Sequence, residues 1–83
     1  MKLEIYGQKD CHHCMRAVAF ALAAHIPHAY YDIADQARRA EMFERNPAAR
    51  TVPQVFVGSQ LIGGADELTA TPISQLQQMI GGQ

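Results

Sequence analysis

The sequence lacks a long apolar segment and an excess of charge of either sign. Its longest uninterrupted apolar run, from Ala17 to Ala24, falls far short of the ~20 residues that a membrane-spanning helix needs. Lys and Arg number 7 against 8 Asp and Glu, and the basic residues form no patch larger than Arg38-Arg39. We therefore expect no membrane association and no nucleic-acid partner.

Long polar stretches poor in aromatic residues are also absent, and 48% of the residues are apolar. This composition is typical of a folded protein, and 83 residues suffice for one domain with a modest core. We expect a single domain over residues 1–83 that works as a monomer. Glu4 interrupts the first apolar residues, so no export signal is expected and the default compartment is the cytosol.

Cysteine is scarce, and the only two cysteines are Cys11 and Cys14. Structural disulfides are rare in the cytosol, so a pair at this spacing favours a redox or metal-binding role over a structural one. A tetrahedral zinc site needs four ligands, yet there is no second cysteine pair, and His25 and His28 lie a whole helix away. Redox chemistry is the favoured interpretation, with half a zinc site or an inert buried pair as alternatives.

The first half of the chain predicts a strand, a helix and a second strand. Lys2–Tyr6 alternates polar and apolar residues as a strand does, and a helical pattern then runs from Cys11 until Pro27 stops it. The apolar positions of that helical pattern are Met15, Val18, Leu22 and Ile26. His28–Ile33 alternates again, and parallel pairing of the two strands through a right-handed crossover follows. The residues expected on one face of the second strand are Ala29, Tyr31 and Ile33.

The second half predicts a helix, a hairpin and a final helix. Asp35 is a good N-cap for a helix that ends near Arg45. Its inward residues should be Ala37, Ala40 and Phe43. Pro53–Val57, a turn at Gly58-Ser59 and Gln60–Ile62 are typical of a hairpin. After Gly63-Gly64 we expect a short turn near Asp66–Leu68. The last helix should have Thr71 as N-cap and Pro72 at its first position, run to Ile80 and close at Gly81-Gly82. The predicted order is βαβαββα.

The segment Cys11-His12-His13-Cys14 falls at the predicted junction of strand and helix. Unpaired amides and the positive end of the helix dipole favour a thiolate at Cys11. Cys14 lies one turn further in, close enough to attack a mixed disulfide on Cys11 and release the substrate. The pair can therefore cycle between dithiol and disulfide.

Three motifs resemble those of the glutaredoxins, and the resemblance extends over nearly the full chain. They are the Cys-x-x-Cys after the first strand, Thr51-Val52-Pro53-Gln54 and Gly63-Gly64-Ala65-Asp66. The resemblance implies an α/β protein of thioredoxin-like fold, with a four-stranded mixed sheet whose last two strands are antiparallel and with helices on both faces. It also implies a thiol–disulfide oxidoreductase.

The same resemblance implies a set of binding residues for glutathione. Pro53 should be cis, and the backbone of Val52, preceded by Thr51, should pair with the backbone of glutathione or of a substrate peptide. Gly64 and Ala65 should let the backbone approach the γ-glutamyl end, whose ammonium Asp66 would receive.

Two positions depart from the family pattern. Glutaredoxins usually carry Lys or Arg three residues before the first cysteine, where this chain has Gln8. Lys9, Arg38 or Arg39 is then the candidate partner for the glycyl carboxylate. The usual Pro-Tyr between the cysteines is replaced by His12-His13, and a charged imidazole there would stabilise the Cys11 thiolate.

The expected function is glutathione-dependent reduction of protein disulfides and glutathione mixed disulfides. Cys11 would be the nucleophile, Cys14 the resolving cysteine and glutathione the reductant. One alternative is an electron donor to ribonucleotide reductase that thioredoxin reductase recharges. The other is a module that binds an iron–sulfur cluster between two chains. The glycine pair before Asp66 favours glutathione, and the absence of a Cys-Gly-Phe-Ser motif argues against a dedicated cluster carrier.

Overall fold

A computed structural model describes residues 1–81 and shows four strands and four helices in that range. Within the same range, no helix is both long and apolar enough to cross a bilayer. The elements in chain order are β1 (Leu3–Gly7), α1 (His12–Ala23), β2 (His28–Asp32), α2 (Gln36–Arg45), β3 (Gln54–Val57), β4 (Gln60–Gly63), α3 (Ala65–Ala70) and α4 (Ile73–Ile80).

The strands form one mixed sheet in the order β2-β1-β3-β4. β1 is parallel to β2 and antiparallel to β3, and β3 is antiparallel to β4. The predicted parallel crossover and the predicted hairpin are both confirmed. The pairing of Tyr6 with Gln54 brings the end of β1 beside the start of β3. The pairing of Val55 with Gly63 brings the end of β4 to the same edge of the sheet.

Alternation along the strands divides the core between the two faces of the sheet. Leu3 and Ile5 of β1 contribute to one buried cluster, and Tyr6 contributes to the other. The first cluster also includes Ala17 and Ala21 of α1, Leu68 of α3 and Leu76 of α4. The second includes Met42 of α2, together with Ile33, Ala49 and Phe56. Helices cover both faces, as the sequence predicted.

Arg45 ties α2 to the sheet. Its guanidinium donates hydrogen bonds to the Glu4 carboxylate and the Tyr6 hydroxyl, both at 3.0 Å, and to the Gly58 carbonyl. It also lies 4.2 Å from the centre of the Phe56 ring. These contacts satisfy a charge that is only partly exposed, and they fix the position of α2 against β1.

The apolar pattern of α1 does not mark its buried face correctly. Met15 and Leu22 are 65% and 61% exposed, whereas Cys14, Ala17 and Ala21 are fully buried. Val18 is half-buried and packs against the core, so the predicted and the observed stripes share it. Small side chains allow the helix backbone to approach the sheet closely, so α1 turns its alanines inward and leaves two larger residues outside.

α1 also ends earlier than predicted, for a reason other than Pro27. His25 adopts a left-handed conformation with φ 55°. Its amide donates to the carbonyl of Leu22 at 3.1 Å, and the amide of Ile26 donates to that of Ala21 at 2.9 Å. This pair of bonds is a Schellman C-cap, and it places Ile26 in the core from a loop instead of from the helix.

α2 begins as predicted, since Asp35 accepts a hydrogen bond from the amide of Ala37 at 2.9 Å. Its inward face is partly different: Ala37 and Ala40 are exposed, Phe43 is half-buried, and Met42 is the buried residue. The long side chain of Met42 fills the space beneath the helix, which alanine is too short to reach.

The chain after β4 forms two helices in place of a turn and one helix. α3 has six residues, and Thr71 caps its C-terminal end, where the hydroxyl donates to the Glu67 carbonyl at 2.7 Å. Pro72, not Thr71, is the N-cap of α4, so this helix begins at Ile73, one position later than predicted. α4 ends at Ile80 with Gly81 as C-cap, while Gly82 lies outside the described residues.

Two leucine truncations test which face of α1 is buried: Leu22 in α1 is the test position, and Leu76 in α4 is the buried reference. Leu22→Ala should change the free energy of unfolding by less than about 0.5 kcal/mol, because the side chain is exposed and alanine favours a helix. Leu76→Ala should cost about 2–5 kcal/mol, because that side chain is fully buried. Urea unfolding of the oxidised proteins measures both, and a loss at Leu22 comparable to that at Leu76 would contradict this packing.

Candidate active site

Cys11 is the N-cap of α1 and is partly exposed, whereas Cys14 is fully buried one turn along the helix. The backbone amide of Cys14 donates a hydrogen bond to Cys11 Sγ at 3.1 Å. The two sulfurs are joined in a disulfide, with their Cα atoms 5.2 Å apart. In the reduced protein the same amide can stabilise a thiolate at Cys11, the sulfur that a substrate can reach.

The segment before β3 lies against the cysteines. The carbonyl oxygen of Val52 is 4.0 Å from Cys11 Sγ, and the Val52-Pro53 peptide bond is cis, as expected. Gln54 holds this segment, because its side-chain amide donates to the Thr51 carbonyl at 2.8 Å and accepts from Asn46 at 3.0 Å. The backbone of Val52 is therefore presented beside the disulfide by a buried, fully bonded side chain.

A groove of about 250 Å³, which we call the Asp66 groove, runs between the cysteine helix and the start of α3. It brings together six of the residues expected to bind glutathione, namely Thr51, Val52, Pro53, Gly64, Ala65 and Asp66. His13, Arg16 and Glu67 also line it. Gly63, with φ 125°, turns the chain from β4 into this wall, and a Cβ there would lie 2.9 Å from Glu67.

Arg16 lies opposite Asp66 across the Asp66 groove, and it was not identified from the sequence. Its Nη2 donates to Asp66 Oδ1 at 2.6 Å and lies 3.1 Å from His13 Nδ1. The pKa of the Asp66 carboxyl lies below its ordinary value, mainly because of the hydrogen bond from Arg16 and, to a smaller extent, because of the positive charge of Arg16. The sequence signal that could have identified Arg16 is its spacing of three residues from His13, which places both side chains on one face of the helix.

A second groove of about 210 Å³ shares Thr51 and Val52 with the first. We call it the arginine groove, because Arg39 of α2 and Arg50 line it along with Gln8. Arg39 is one of the three cations considered from the sequence, whereas Arg50 was missed although it directly precedes Thr51. The two grooves meet at the Val52 backbone and differ in charge, since one contains an ion pair and the other two guanidinium groups.

The other two candidate cations lie elsewhere. Lys9 lines a separate hollow with Asp10, Met15 and Tyr30, and it borders neither the Asp66 groove nor the arginine groove. Arg38 donates to Glu41 at 3.1 Å, and its guanidinium lies 4.0 Å from the centre of the Tyr31 ring. Neither side chain is placed beside Val52.

His12 and His13 are both exposed at the start of α1, with ring centres 6.1 Å apart. Within residues 1–81, neither belongs to a group of three or more His, Cys, Asp or Glu side chains that could hold a metal ion. Their position beside Cys11 leaves an electrostatic effect on the thiolate as the role to test.

Comparison with known proteins agrees with this geometry. A model of the glutaredoxin family matches residues 3–62. The chain belongs to the glutaredoxin family. It is 38% identical over 69 residues to glutaredoxin 3 of Escherichia coli K12, covering 82% of each chain. It is 37% identical over 70 residues to a probable glutaredoxin of Synechocystis, covering 83% of this chain and 80% of the relative.

Solved glutaredoxins share the fold. The solution structure of glutaredoxin from Brucella melitensis superposes with a TM-score of 0.74 at 32% identity, covering 100% of this chain and 94% of that one. A buckwheat glutaredoxin–glutathione complex gives a TM-score of 0.77 at 22% identity, covering 96% and 76%. Family membership and the cysteine pair show that this glutaredoxin is a thiol–disulfide oxidoreductase.

Replacing the two histidines tests their effect on the redox couple. The double variant His12→Pro and His13→Tyr should have a reduction potential more negative than the parent by about 30 mV for each tenfold loss of thiolate stabilisation. The difference should be larger near about pH 5 than near about pH 8, because only the charged imidazole attracts the thiolate.

Equilibration of the protein in thiol–disulfide buffers across that pH range measures the potential. His25→Asn is the matched control, since it removes an imidazole at the far end of α1 and Asn tolerates the left-handed conformation found there. Identical potentials for the double variant and the parent at every pH would show that His12 and His13 are ordinary surface residues.

Proposed function

We propose that this glutaredoxin is a glutathione-dependent reductase of protein disulfides and of glutathione mixed disulfides. The observation that carries the proposal is the pair of grooves that meet at Val52, beside Cys11. One groove has two guanidinium groups and the other an exposed carboxylate paired with an arginine. This distribution of charge suits a ligand with a thiol at its centre and a different charged group at each end.

Glutathione has that form. Its cysteine sulfur would meet Cys11 while its backbone pairs with the backbone of Val52, which the buried Gln54 and Pro53 hold in place. Its glycyl carboxylate would enter the arginine groove, where Arg39 and Arg50 supply the charge that Gln8 lacks. Lys9 is not needed for this contact, because it lines another hollow.

The γ-glutamyl end would enter the Asp66 groove. Thr51, Gly64 and Ala65 form its walls, and Asp66 would receive the substrate ammonium. Gly64 is half-buried there, and its missing side chain leaves room for a ligand backbone to approach. The buckwheat glutaredoxin, which shares this fold, was solved in complex with glutathione.

The chemistry proceeds in two exchanges. The Cys11 thiolate attacks one sulfur of the substrate disulfide, forms a mixed disulfide and expels the other sulfur as a thiolate, which takes up a proton. The Cys14 thiolate then attacks Cys11 Sγ, releases the second substrate sulfur and leaves the Cys11–Cys14 disulfide. Two glutathione molecules return the protein to the dithiol and leave as glutathione disulfide. This cycle requires a compartment that supplies reduced glutathione, such as the cytosol, and the site is complete in one chain.

Coupled reduction distinguishes this function from its alternative. With NADPH, glutathione and glutathione reductase the protein should turn over, whereas thioredoxin reductase without glutathione should not sustain turnover.

Cys11→Ser should abolish both mixed-disulfide and protein-disulfide reduction, because it removes the accessible sulfur. Cys14→Ser should keep most activity on glutathione mixed disulfides, which need one sulfur, and lose most activity on intramolecular protein disulfides. Recharging by thioredoxin reductase alone, or equal loss of both activities in Cys14→Ser, would refute the proposal.

The arginine groove can be tested with two neighbouring arginines of the same helix. Arg39→Gln should raise KM for glutathione by about fivefold to tenfold, the usual effect of losing one partly exposed charge-assisted contact. Arg38→Gln should leave KM unchanged, because Arg38 contacts Glu41 and Tyr31 and lines neither groove. Steady-state kinetics in glutathione at fixed disulfide concentration measure both. An equal rise in the two variants would indicate a general effect of charge instead of a carboxylate contact at Arg39.

A further inference from the structure

We propose that Arg16 is a specificity-determining residue, and that with Asp66 it forms a paired-charge site that recognises the α-amino acid end of the γ-glutamyl group. Arg16 would bind the α-carboxylate while Asp66 binds the α-ammonium. This inference rests on the proposed use of glutathione and extends it to a residue of α1, which projects from the opposite side of the Asp66 groove from α3.

The arrangement of the ion pair leaves binding capacity on both partners. Nη2 of Arg16 makes both of its contacts, to Asp66 Oδ1 and to His13 Nδ1. Among residues 1–81, Nη1 and Nε of Arg16 have no hydrogen-bond partner, and neither does Oδ2 of Asp66. A guanidinium has five N–H donors in a planar fork, so the remaining donors can receive both oxygens of a carboxylate.

The accessibility of the two side chains is consistent with ligand binding. The side chain of Arg16 is 36% exposed and that of Asp66 is 83% exposed. A pair with this exposure contributes little to stability, so a ligand can share it or separate it at small cost. The groove that both side chains line also contains Val52, whose carbonyl is 4.0 Å from Cys11 Sγ.

The chemistry of the ligand matches the pair. The γ-glutamyl end of glutathione is a zwitterion, with an ammonium and a carboxylate on one carbon atom. A lone carboxylate at Asp66 would attract the ammonium and repel the neighbouring carboxylate. Arg16 removes that repulsion and adds a bidentate partner. His13 keeps the guanidinium over the groove, because its Nδ1 lies 3.1 Å from Nη2.

The competing explanation is that Arg16 only ties α1 to α3. Analogues of the γ-glutamyl group separate the two possibilities. Mixed disulfides of one peptide are prepared with glutathione, with glutaryl-cysteinylglycine, which lacks the ammonium, and with 4-aminobutyryl-cysteinylglycine, which lacks the α-carboxylate. A fourth mixed disulfide, with N-acetyl-cysteinylglycine, lacks both charged groups. Reduced protein in excess is mixed with each compound, and the second-order rate constant of peptide release is measured.

Arg16→Gln should lower the rate constant about tenfold for the two compounds that carry the α-carboxylate and leave the other two unchanged. Asp66→Asn should lower it for the two compounds that carry the ammonium and leave the other two unchanged. Arg16→Lys keeps the charge without the fork and should give an intermediate loss. Arg38→Gln alters an arginine on α2 that is also paired with a carboxylate and is exposed to a similar degree as Arg16; it is the control and should change none of the four.

Other outcomes overturn the inference. If Arg16→Gln lowers the rate constant equally for all four compounds, Arg16 has a structural role. If it lowers the rate constant for none of them, Arg16 has no role in binding the γ-glutamyl end. A gain with the ammonium compounds in Arg16→Gln would mean that Arg16 competes with the ligand for Asp66. If the parent reacts with the N-acetyl compound as fast as with the glutathione compound, the γ-glutamyl site of the proposed function fails as well. If the parent reacts faster with the glutathione compound but Arg16→Gln changes no rate constant, the inference about Arg16 fails and the proposed function stands.

Discussion

The hydrogen bond from the backbone amide of Cys14 to Cys11 Sγ is the interaction on which the site depends. It makes Cys11 the N-cap of α1, so one contact both starts the helix and holds the sulfur that we propose as the nucleophile among unpaired amides. A cysteine further along the helix would lack those amides.

The register of the sheet brings the other site segments to this sulfur. Tyr6 pairs with Gln54, so the loop that leads from β1 to Cys11 lies beside the residues that precede β3. Val55 pairs with Gly63, so the chain that enters α3 emerges at the same edge. Three segments far apart in sequence therefore line two grooves around Val52, and each groove takes its charge from a different helix or loop.

Errors in the sequence-based prediction of the helices share a physical cause. Periodicity identifies a helix but does not distinguish neighbouring stripes when alanine and larger apolar residues alternate on it. In α1 the close approach of the helix to the sheet selects Ala17 and Ala21 and exposes Met15 and Leu22. In α2 the space under the helix selects the longer Met42 over Ala40. Both choices depend on the distance between layers, which local sequence does not contain.

The sequence by itself determined the element order through β4, including the parallel crossover and the hairpin. It also determined the Asp35 cap and the placement of Cys11 at a strand-to-helix junction. These features follow from periodicity, turn chemistry and capping over a few residues. Only the tertiary structure decided which cations border the two grooves. Only one residue separates Lys9 from Cys11 in the sequence, yet Lys9 lines another hollow. The cations that border the grooves come from separate parts of the chain, namely Arg16, Arg39 and Arg50. The direction of a long side chain depends on the backbone conformation beneath it and on the partners that packing brings within reach, and both are long-range properties of the fold.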